Sequence, residues 1–284
     1  MKDVEIRICK PENAAEFLPR VVRTYENAEF CDEVAGNGEE IFALSAGGET
    51  VGLAYIEDDD KAFIYVYIFP EFRGRGYGRA AVLAAEAGLK TDPVKSIETG
   101  YIAGDEAAKH LASALGYNKR VFQSAAMRYR GGKFEEPDLP VRKYRSEDFE
   151  TAWLAAAEAF HKMRLETGKF PDSTVGEISD AAREYWEKTA DKRVVVEQNG
   201  EITGSAHIED GEIDVLWIKI PRQGNGYGRK LLKYCVNRIL ESGHDEVTLW
   251  CVVGNDKARR LYESEGFEEV GRAEYAEKRP GEKE

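Results

Sequence analysis

The alternation of apolar and polar residues gives the same order of predicted elements in both halves of the chain. Helices precede three strands that are joined by short turns, and two further helices then alternate with strands. A meander followed by strand–helix–strand units predicts an α/β fold, in which one mixed, mainly antiparallel sheet is flanked by helices. The chain is therefore predicted to contain two similar domains in tandem.

Most of the predicted elements are short and end at glycine or asparagine turns. In the first half, the strands are Val4–Ile8, Glu40–Ser45, Thr50–Glu57, Lys61–Phe69, Lys95–Tyr101 and Arg120–Tyr129, and the helices are Ala14–Tyr25, Gly78–Leu89 and Asp105–Leu115. In the second half, the strands are Arg193–Gln198, Glu201–Ile208, Glu212–Ile220, Glu246–Val252 and Glu268–Tyr275, and the helices are Val175–Thr189, Gly228–Glu241, Asp256–Glu265 and one capped by Ser146.

A stretch without periodicity separates the two halves. Residues 131–140 contain two glycines and two prolines and are the best linker in the chain. We therefore expect an amino-terminal domain over residues 1–130 and a carboxy-terminal domain over residues 141–284.

The composition narrows the functional classes. A formal net charge of −13 argues against nucleic acid as a partner. No apolar run approaches the roughly 20 residues that span a bilayer, and the charged, alternating segment Met1–Arg7 does not resemble a signal peptide. The four cysteines and four histidines are scattered, which predicts reduced thiols, a cytoplasmic location and no metal site.

A glycine-rich octapeptide occurs once in each half, 150 residues apart. The copies are Arg73-Gly74-Arg75-Gly76-Tyr77-Gly78-Arg79-Ala80 and Gln223-Gly224-Asn225-Gly226-Tyr227-Gly228-Arg229-Lys230. Each copy follows a predicted strand and opens a predicted helix. Such a turn presents backbone N–H groups at a helix N-terminus, where they bind anions, most often phosphate. The fourth-strand position differs from that of a Rossmann fingerprint, and the Gly-Lys-Ser/Thr of a Walker loop is absent.

A second motif lies about 30 residues after the glycine loop of the second half. Asn255, Ala258, Leu261 and Tyr262 are followed by Gly266-Phe267. The two motifs together closely resemble the GNAT superfamily of N-acetyltransferases. The first half matches the glycine loop fully but has only Ala108, Leu111, Gly116 and Tyr117 of the second motif.

The resemblance implies that acetyl-CoA is the co-substrate. In the second half it implies pyrophosphate binding by the loop, pantetheine pairing along the fourth strand, and a contact from the following helix. The implied residues are Leu216, Trp217, Ile218, Gln223, Gly224, Asn225, Gly226, Tyr227, Gly228, Arg229 and Asn255. In the first half, the corresponding residues are Ile68, Arg73, Gly74, Arg75, Gly76, Tyr77, Gly78 and Arg79.

The resemblance also implies a general acid and a general base, since the amine must lose a proton and the departing thiolate gains one. Tyr262 is the expected acid and Glu212 the expected base. Asp214 and Glu209 remain competitors for the base, and His207 is a weaker one. At the offset of 150 residues, Tyr262 corresponds to Ala112, Asn255 to Asp105 and Glu212 to Ala62. We therefore expect chemistry in the second half and a non-catalytic first half.

The expected function is transfer of an acetyl group from acetyl-CoA to the primary amine of a small molecule, in a ternary complex. A non-catalytic acetyl-CoA-binding module is one alternative, and an acetyltransferase of protein N-termini or lysines is another. We expect no membrane partner and a monomer or homodimer.

Overall fold

The computed structural model describes residues 4–281, and the chain forms two compact units. Unit 1 contains the residues up to Ser124 together with those from Gly271 onward, and unit 2 contains Ala125–Val270. Met1–Asp3, part of the segment weighed above as a signal peptide, lie outside the described residues. No described helix is both long and apolar enough to cross a membrane.

Unit 1 has a mixed sheet with helices, as the periodicity predicts. Its strands are β1 (Arg7–Cys9), β2 (Ile41–Ala46), β3 (Glu49–Glu57), β4 (Lys61–Ile68) and β5 (Ser96–Ile102), and its helices are α1 (Ala28–Gly36), α2 (Tyr77–Gly88) and α3 (Glu106–Ala114). Strands β1 to β4 pair antiparallel in sequence order, and β5 pairs parallel to β4. Strand β6 (Arg120–Tyr129) begins in this unit and ends in unit 2.

Unit 2 repeats this order. Its strands are β7 (Val141–Lys143), β8 (Arg193–Gln198), β9 (Glu201–Glu209), β10 (Glu212–Ile218) and β11 (Val247–Val252), and its helices are α4 (Phe149–Thr167), α5 (Asp180–Lys188), α6 (Tyr227–Glu241) and α7 (Asp256–Ser264). Strands β7 to β10 are antiparallel, β11 is parallel to β10, and β6 lies beside β11. The predicted fold class, a mixed and mainly antiparallel sheet flanked by helices, is confirmed.

The last strand of the chain, β12 (Glu268–Lys278), begins in unit 2 and ends in unit 1. Its residues Ala273–Lys278 pair antiparallel with Ile97–Ile102 of β5. The compact units therefore differ from a division of the chain at residues 131–140. The reason is that backbone pairing with β5 assigns the end of β12 to unit 1, and a linker composition carries no information about that pairing.

Near the start of each half, one predicted helix differs from the structure. The helix expected at Ala14–Tyr25 is a short 3₁₀ helix over Ala14–Arg20, and Val21 after it is extended. Helix α1, which the prediction missed, buries Phe30 and Val34. In the second half, the helix expected at Val175–Thr189 begins at Asp180, because the Ser179 side chain accepts the N–H of Ala182 and caps it there.

The sheet of unit 2 is buried on both faces. On one face, Ile213 and Ile218 of β10 pack with Leu231 and other residues of α6. On the other face, Trp217 packs in an aromatic and alanine-rich cluster with Phe149 of α4 and other residues from α4 and α5. Alternate residues of β10 therefore point to different helices, which fixes the strand that carries the candidate site.

Candidate active site

The two glycine loops have the same backbone conformation. Gly224 and Gly226 have φ values of 80°, and Gly74 and Gly76 have φ values of 74° and 86°. Residues with a Cβ atom rarely adopt this left-handed region, so the turn depends on glycine. Helices α6 and α2 begin directly after it, at Tyr227 and Tyr77, which leaves the first amides of each helix without acceptors inside the helix. Both loops can therefore bind an anion.

The first side chain of each octapeptide supports its loop in the same way. Nε2 of Gln223 donates a 2.9 Å hydrogen bond to the carbonyl oxygen of Ile218, and Nε of Arg73 donates a 3.0 Å bond to that of Ile68. In both cases, the side chain ties the loop to the end of the preceding strand. This shared contact explains how glutamine and arginine can occupy equivalent positions.

A cleft opens in unit 2 where β10 and β11 diverge. The two strands pair in parallel only at Glu212 and Thr248. Beyond that pair, a cleft of about 600 Å³ lies between the strands, the glycine loop, α4 and α7. Ten of the predicted residues line it: Leu216, Trp217, Ile218, Gln223, Gly224, Gly226, Gly228, Arg229, Asn255 and Tyr262. Asn225, Tyr227 and Glu212 are not among the lining residues.

A β-bulge places a carboxylate at this cleft. Ile213 pairs with Ile208 and Val215 with His207, so Asp214 is the extra residue of β10. Asp214 lines the cleft, and its Oδ2 lies 2.8 Å from Nδ1 of His207. His207 is only 1% exposed and does not itself line the cleft. The structure therefore brings Asp214 to the cleft.

Glu212 lies on β10 just before the two strands diverge, and it is not among the residues that line the cleft. It is the first residue of β10, is half-buried, and pairs with Thr248 where the two strands are still adjacent. Its backbone partner on the other side is Glu209. Two carboxylates of β10, at positions 212 and 214, thus flank the point where the strands separate.

Tyr262 enters the cleft from α7. Its ring packs against Phe267, with ring centroids 5.9 Å apart. Burial raises the pKa of the Tyr262 hydroxyl, so the group remains protonated across the neutral range. A protonated phenol in the cleft can donate a proton or a hydrogen bond.

Asn255 is the residue that caps α7. Its Oδ1 accepts the N–H of Ala258 at 3.4 Å. Asp105, its counterpart in unit 1, caps α3 by accepting the N–H groups of Ala107 and Ala108. A capping role therefore accounts for an asparagine or an aspartate here, and a ligand contact would come in addition to it.

Sequence reasoning missed two charged residues that α4 contributes to the cleft. Lys162 and Glu166 line it, and Nζ of Lys162 lies 3.3 Å from Oε1 of Gln223 in the glycine loop. Lys257 of α7 contacts Oε2 of Glu166 at 3.1 Å. The spacing of Lys162 and Glu166 puts them on one helix face, but that signal is common to exposed helices and does not indicate a site.

Unit 1 has a cleft in the equivalent place. It measures about 370 Å³ and opens where β4 and β5 diverge after Phe63. Ile68, Arg73 and Gly78 line it as predicted. Gly74, Arg75, Gly76, Tyr77 and Arg79 are not among the lining residues. The pairing of β3 with β4 keeps a continuous register from Gly52 to Glu57, so no extra residue corresponds to Asp214.

Comparison with known proteins identifies the family. The model of the acetyltransferase (GNAT) family matches residues 10–117 and 141–267, one segment in each half. The chain belongs to the GNAT family. It is 30% identical over 241 residues to the mycothiol acetyltransferase of Streptomyces avermitilis, covering 79% of this chain and 75% of the relative. It is 27% identical to that of Clavibacter sepedonicus, covering 93% of each chain.

Solved structures show the same tandem GNAT fold. A GCN5-related N-acetyltransferase from Sphaerobacter thermophilus superposes with a TM-score of 0.72 at 19% identity, covering 98% of each chain. A tandem GNAT protein from the clavulanic acid biosynthesis pathway has a TM-score of 0.63 at 12% identity, covering 99% of this chain and all of that one. The predicted family and its tandem arrangement are therefore confirmed.

Membership of the GNAT family makes this protein an acetyl-CoA-dependent N-acetyltransferase. The cleft of unit 2 fits that co-substrate, because a glycine loop at a helix N-terminus suits a pyrophosphate and diverging strands leave backbone groups for an extended amide chain. Within residues 4–281, no group of three or more histidine, cysteine or acidic side chains could hold a metal ion.

Proposed function

We propose that this GNAT protein acetylates the primary amine of a small molecule in the cleft of unit 2. One observation carries the proposal: that cleft combines a glycine loop, a protonated tyrosine and a carboxylate on one pair of diverging strands. The cleft of unit 1 has Ala112 where unit 2 has Tyr262, and it lacks the bulge that carries Asp214.

In the proposed mechanism, the acetyl group moves directly from donor to amine. Acetyl-CoA supplies the acetyl group as a thioester. A carboxylate of β10 removes a proton from the ammonium so that the nitrogen lone pair can attack. A carbon–nitrogen bond then forms while the carbon–sulfur bond breaks, and Tyr262 gives its proton to the departing thiolate. The nitrogen loses its second proton as the amide forms, and that proton restores the Tyr262 phenol.

The thiol that lines the cleft supports direct transfer over a covalent enzyme intermediate. Burial raises the pKa of Cys251 to about 11, so this thiol is protonated at neutral pH. The thiolate is the nucleophilic form of cysteine. The raised pKa argues against Cys251 as the nucleophile, so in the proposed mechanism the amine itself attacks.

We assign the base to Glu212, acting through a water molecule from the point where β10 and β11 diverge. Its half-buried position at the separation of β10 and β11 supports this role. Asp214 is the second candidate, and a specific observation favours it: its carboxylate lines the cleft. The pH–rate profiles of Glu212→Gln and Asp214→Asn decide between them, because only loss of the true base removes the acidic limb.

The acceptor is proposed from the relatives and from the charge of the cleft. Mycothiol acetyltransferases are the relatives at about 30% identity, so a mycothiol-related amine is the first acceptor to assay. Asp214, whose carboxylate lines the cleft, and the net charge of −13 on the chain favour a cationic amine, whereas Glu166 is already paired with Lys257.

A screen of small amines tests the proposal. Release of free thiol from acetyl-CoA is followed with each amine, and with lysine-containing peptides as a comparison. Turnover with small amines and none with peptides is the expected result. Binding of acetyl-CoA in a calorimeter without turnover of any amine would contradict it.

A further inference from the structure

The cleft of unit 1 extends past the position where Tyr262 ends the cleft of unit 2. Its lining includes Ala112, Leu115 and Tyr117, together with Val82 of α2. The counterparts of the last three residues in unit 2 are Glu265, Phe267 and Leu232, none of which lines the larger cleft. Replacing a phenol with a methyl group at position 112 therefore exposes a deeper compartment.

This compartment is apolar, and its polar atoms are already paired. Leu111 lies beside the residues just named, and the Tyr117 hydroxyl donates a 2.9 Å hydrogen bond to Oε1 of Glu86. In unit 2, by contrast, the counterpart of Leu115 is Glu265, whose carboxylate pairs with Arg229 and Lys233. Unit 1 alone thus offers a hydrocarbon-lined extension at this end.

Another part of the cleft lining comes from the loop before α1 and from β4. The backbone N–H of Val22 donates a 2.9 Å hydrogen bond to the Tyr67 hydroxyl, which closes the loop before α1 onto β4. The ring of Phe30 packs on Tyr65 and Tyr67, with centroids 4.9 and 6.0 Å apart. In unit 2, side chains of α4 line the cleft. The cleft of unit 1 is also the smaller of the two, at about 370 Å³ against about 600 Å³.

The features that suit a coenzyme A thioester are retained in this cleft. The glycine loop keeps its left-handed glycines. Helix α2, which has 12 residues, begins directly after the loop, so its first amides have no acceptor inside the helix. Asp105 lies near this position, but its Oδ1 accepts two amide protons of α3, so much of its charge is compensated.

We propose that the cleft of unit 1 is a binding site for coenzyme A thioesters with acyl chains longer than acetyl, and that the chain occupies the compartment at Ala112, Leu115 and Tyr117. The site binds and does not transfer the acyl group. It is separate from the transfer in unit 2, so either can fail without the other. Each methylene placed in an apolar compartment should strengthen binding about 4-fold.

Calorimetry on the full chain tests this proposal with four probes: coenzyme A, acetyl-CoA, butyryl-CoA and hexanoyl-CoA. We expect one class of sites whose affinity rises about 16-fold from acetyl-CoA to butyryl-CoA, since two methylenes are added. The proposal is overturned if no site gains affinity with chain length, or if coenzyme A binds as tightly as its longer thioesters at every site.

Two substitutions assign the effect to unit 1. Ala112→Tyr restores the residue that unit 2 has and should abolish the gain with chain length. Ala114→Tyr adds the same side chain to the exposed face of α3 and is the matched control, which should keep the gain. A gain that survives in Ala112→Tyr would place the acyl site elsewhere and overturn the proposal.

A smaller substitution covers the case in which Ala112→Tyr does not fold, since Ala112 is only 7% exposed. Ala112→Leu adds fewer atoms and should still reduce the gain several-fold, with circular dichroism confirming the fold. Thiol release in unit 2 is measured in parallel. Normal turnover without a chain-length effect would remove this proposal and leave the proposed function intact.

Discussion

Units 1 and 2 share a glycine loop but differ in the residues that face it across the cleft. In both units, left-handed glycines start a helix, and a side chain ties the loop to the preceding strand. In unit 2 a phenol and a bulged carboxylate stand opposite, whereas unit 1 has Ala112 and a strand without a bulge. Backbone features of the donor site have therefore persisted, while the side chains suited to chemistry occur in unit 2.

The two units also differ in the carboxylates of the strand pair that diverges to form each cleft. Unit 2 has Glu212 at the start of β10, paired with Thr248 of β11. Unit 1 has Ala62 at the equivalent place, and one of its carboxylates, Glu98, lies on the neighbouring strand β5. Glu98 faces Glu277 of β12 in the register of the sheet. We therefore expect Glu98 to affect the stability of unit 1, whereas Glu212 lies where the strands beside the unit 2 cleft diverge.

The largest expected effect comes from removing the end of β12. A chain that ends at Val270 lacks the residues that pair with Ile97–Ile102, and also Ala276, which is 1% exposed in the core of unit 1. The exposed edge of β5 and the open core should prevent unit 1 from folding. Hydrogen exchange should show fast exchange throughout β2–β5.

A chain that ends at Gly281 is the control and should keep slow exchange in unit 1. Addition of a peptide of residues 271–281 to the shorter chain should restore protection at β5. Full protection in the shorter chain without the peptide would show that unit 1 does not need β12. The same reasoning applies to a chain that ends near Gly131, which lacks β12 entirely.

Tyr262→Phe is expected to lower turnover at least about 100-fold, because the departing thiolate loses its proton donor. The affinity for acetyl-CoA should stay nearly unchanged, since the ring still packs on Phe267. Thiol release gives kcat, and calorimetry gives Kd. Tyr234→Phe, on α6 away from the lining residues, is the matched control. Equal turnover in the two variants would remove Tyr262 from the mechanism.

The fold was predictable from local patterns. Alternation gave the strands, and the repeated octapeptide gave two equivalent domains and the place of the donor site. The ends of helices were harder: Pro19 and an extended Val21 shorten the first predicted helix, and α1 follows with only two turns of apolar spacing. The end of β12 pairs with β5, whose residues lie more than 170 positions earlier in the chain, and no local pattern encodes such a pairing.

Within the site, backbone-determined positions were predictable and side-chain partners were not. Ten predicted residues line the cleft of unit 2, because glycine spacing fixes the loop and the loop fixes the strand before it. The bulge at Asp214 could not be predicted, since the residues that follow it in β10 are all apolar and the one-residue shift in alternation leaves no trace in the sequence. The contact of Lys162 with Gln223 joins two elements 61 residues apart.

Glu98→Gln tests the division of carboxylates through stability. Burial, and then the charge of Glu277, raises the pKa of Glu98 to about 7 from an ordinary value of 4.5. The folded state thus holds this proton more tightly than the unfolded state. The stability that the protonated Glu98 carboxyl contributes is complete below about pH 4.5 and is lost as the pH rises through about 7.

Glutamine keeps the neutral form at every pH. Glu98→Gln should therefore unfold with a free energy roughly 3 kcal/mol higher than the parent chain at pH 8, and higher by less than about 1 kcal/mol at pH 5. Urea denaturation at both pH values measures this difference. Glu39→Gln, at an exposed position, is the control, and its difference in unfolding free energy from the parent chain should be the same at both pH values. A Glu98→Gln variant that is equally stable at pH 8 would contradict the assignment.

The smallest expected effect separates the capping role of Asn255 from a ligand contact. Asn255→Asp gives unit 2 the residue that unit 1 has, and aspartate caps a helix as well as asparagine does, so the stability of unit 2 should not fall. A negative charge near a bound pyrophosphate should raise the Kd for acetyl-CoA about 5-fold, equivalent to roughly 1 kcal/mol.

Salt dependence identifies the cause of that change. An electrostatic effect of Asn255→Asp should shrink when calorimetry is repeated at about 0.5 M salt, because exposed charges are then screened. Asp105→Asn is the reciprocal variant and should tighten thioester binding in unit 1 by a similar factor. An unchanged Kd in both variants would mean that position 255, like position 105, serves only to start its helix, and that the glycine loop alone holds the phosphates.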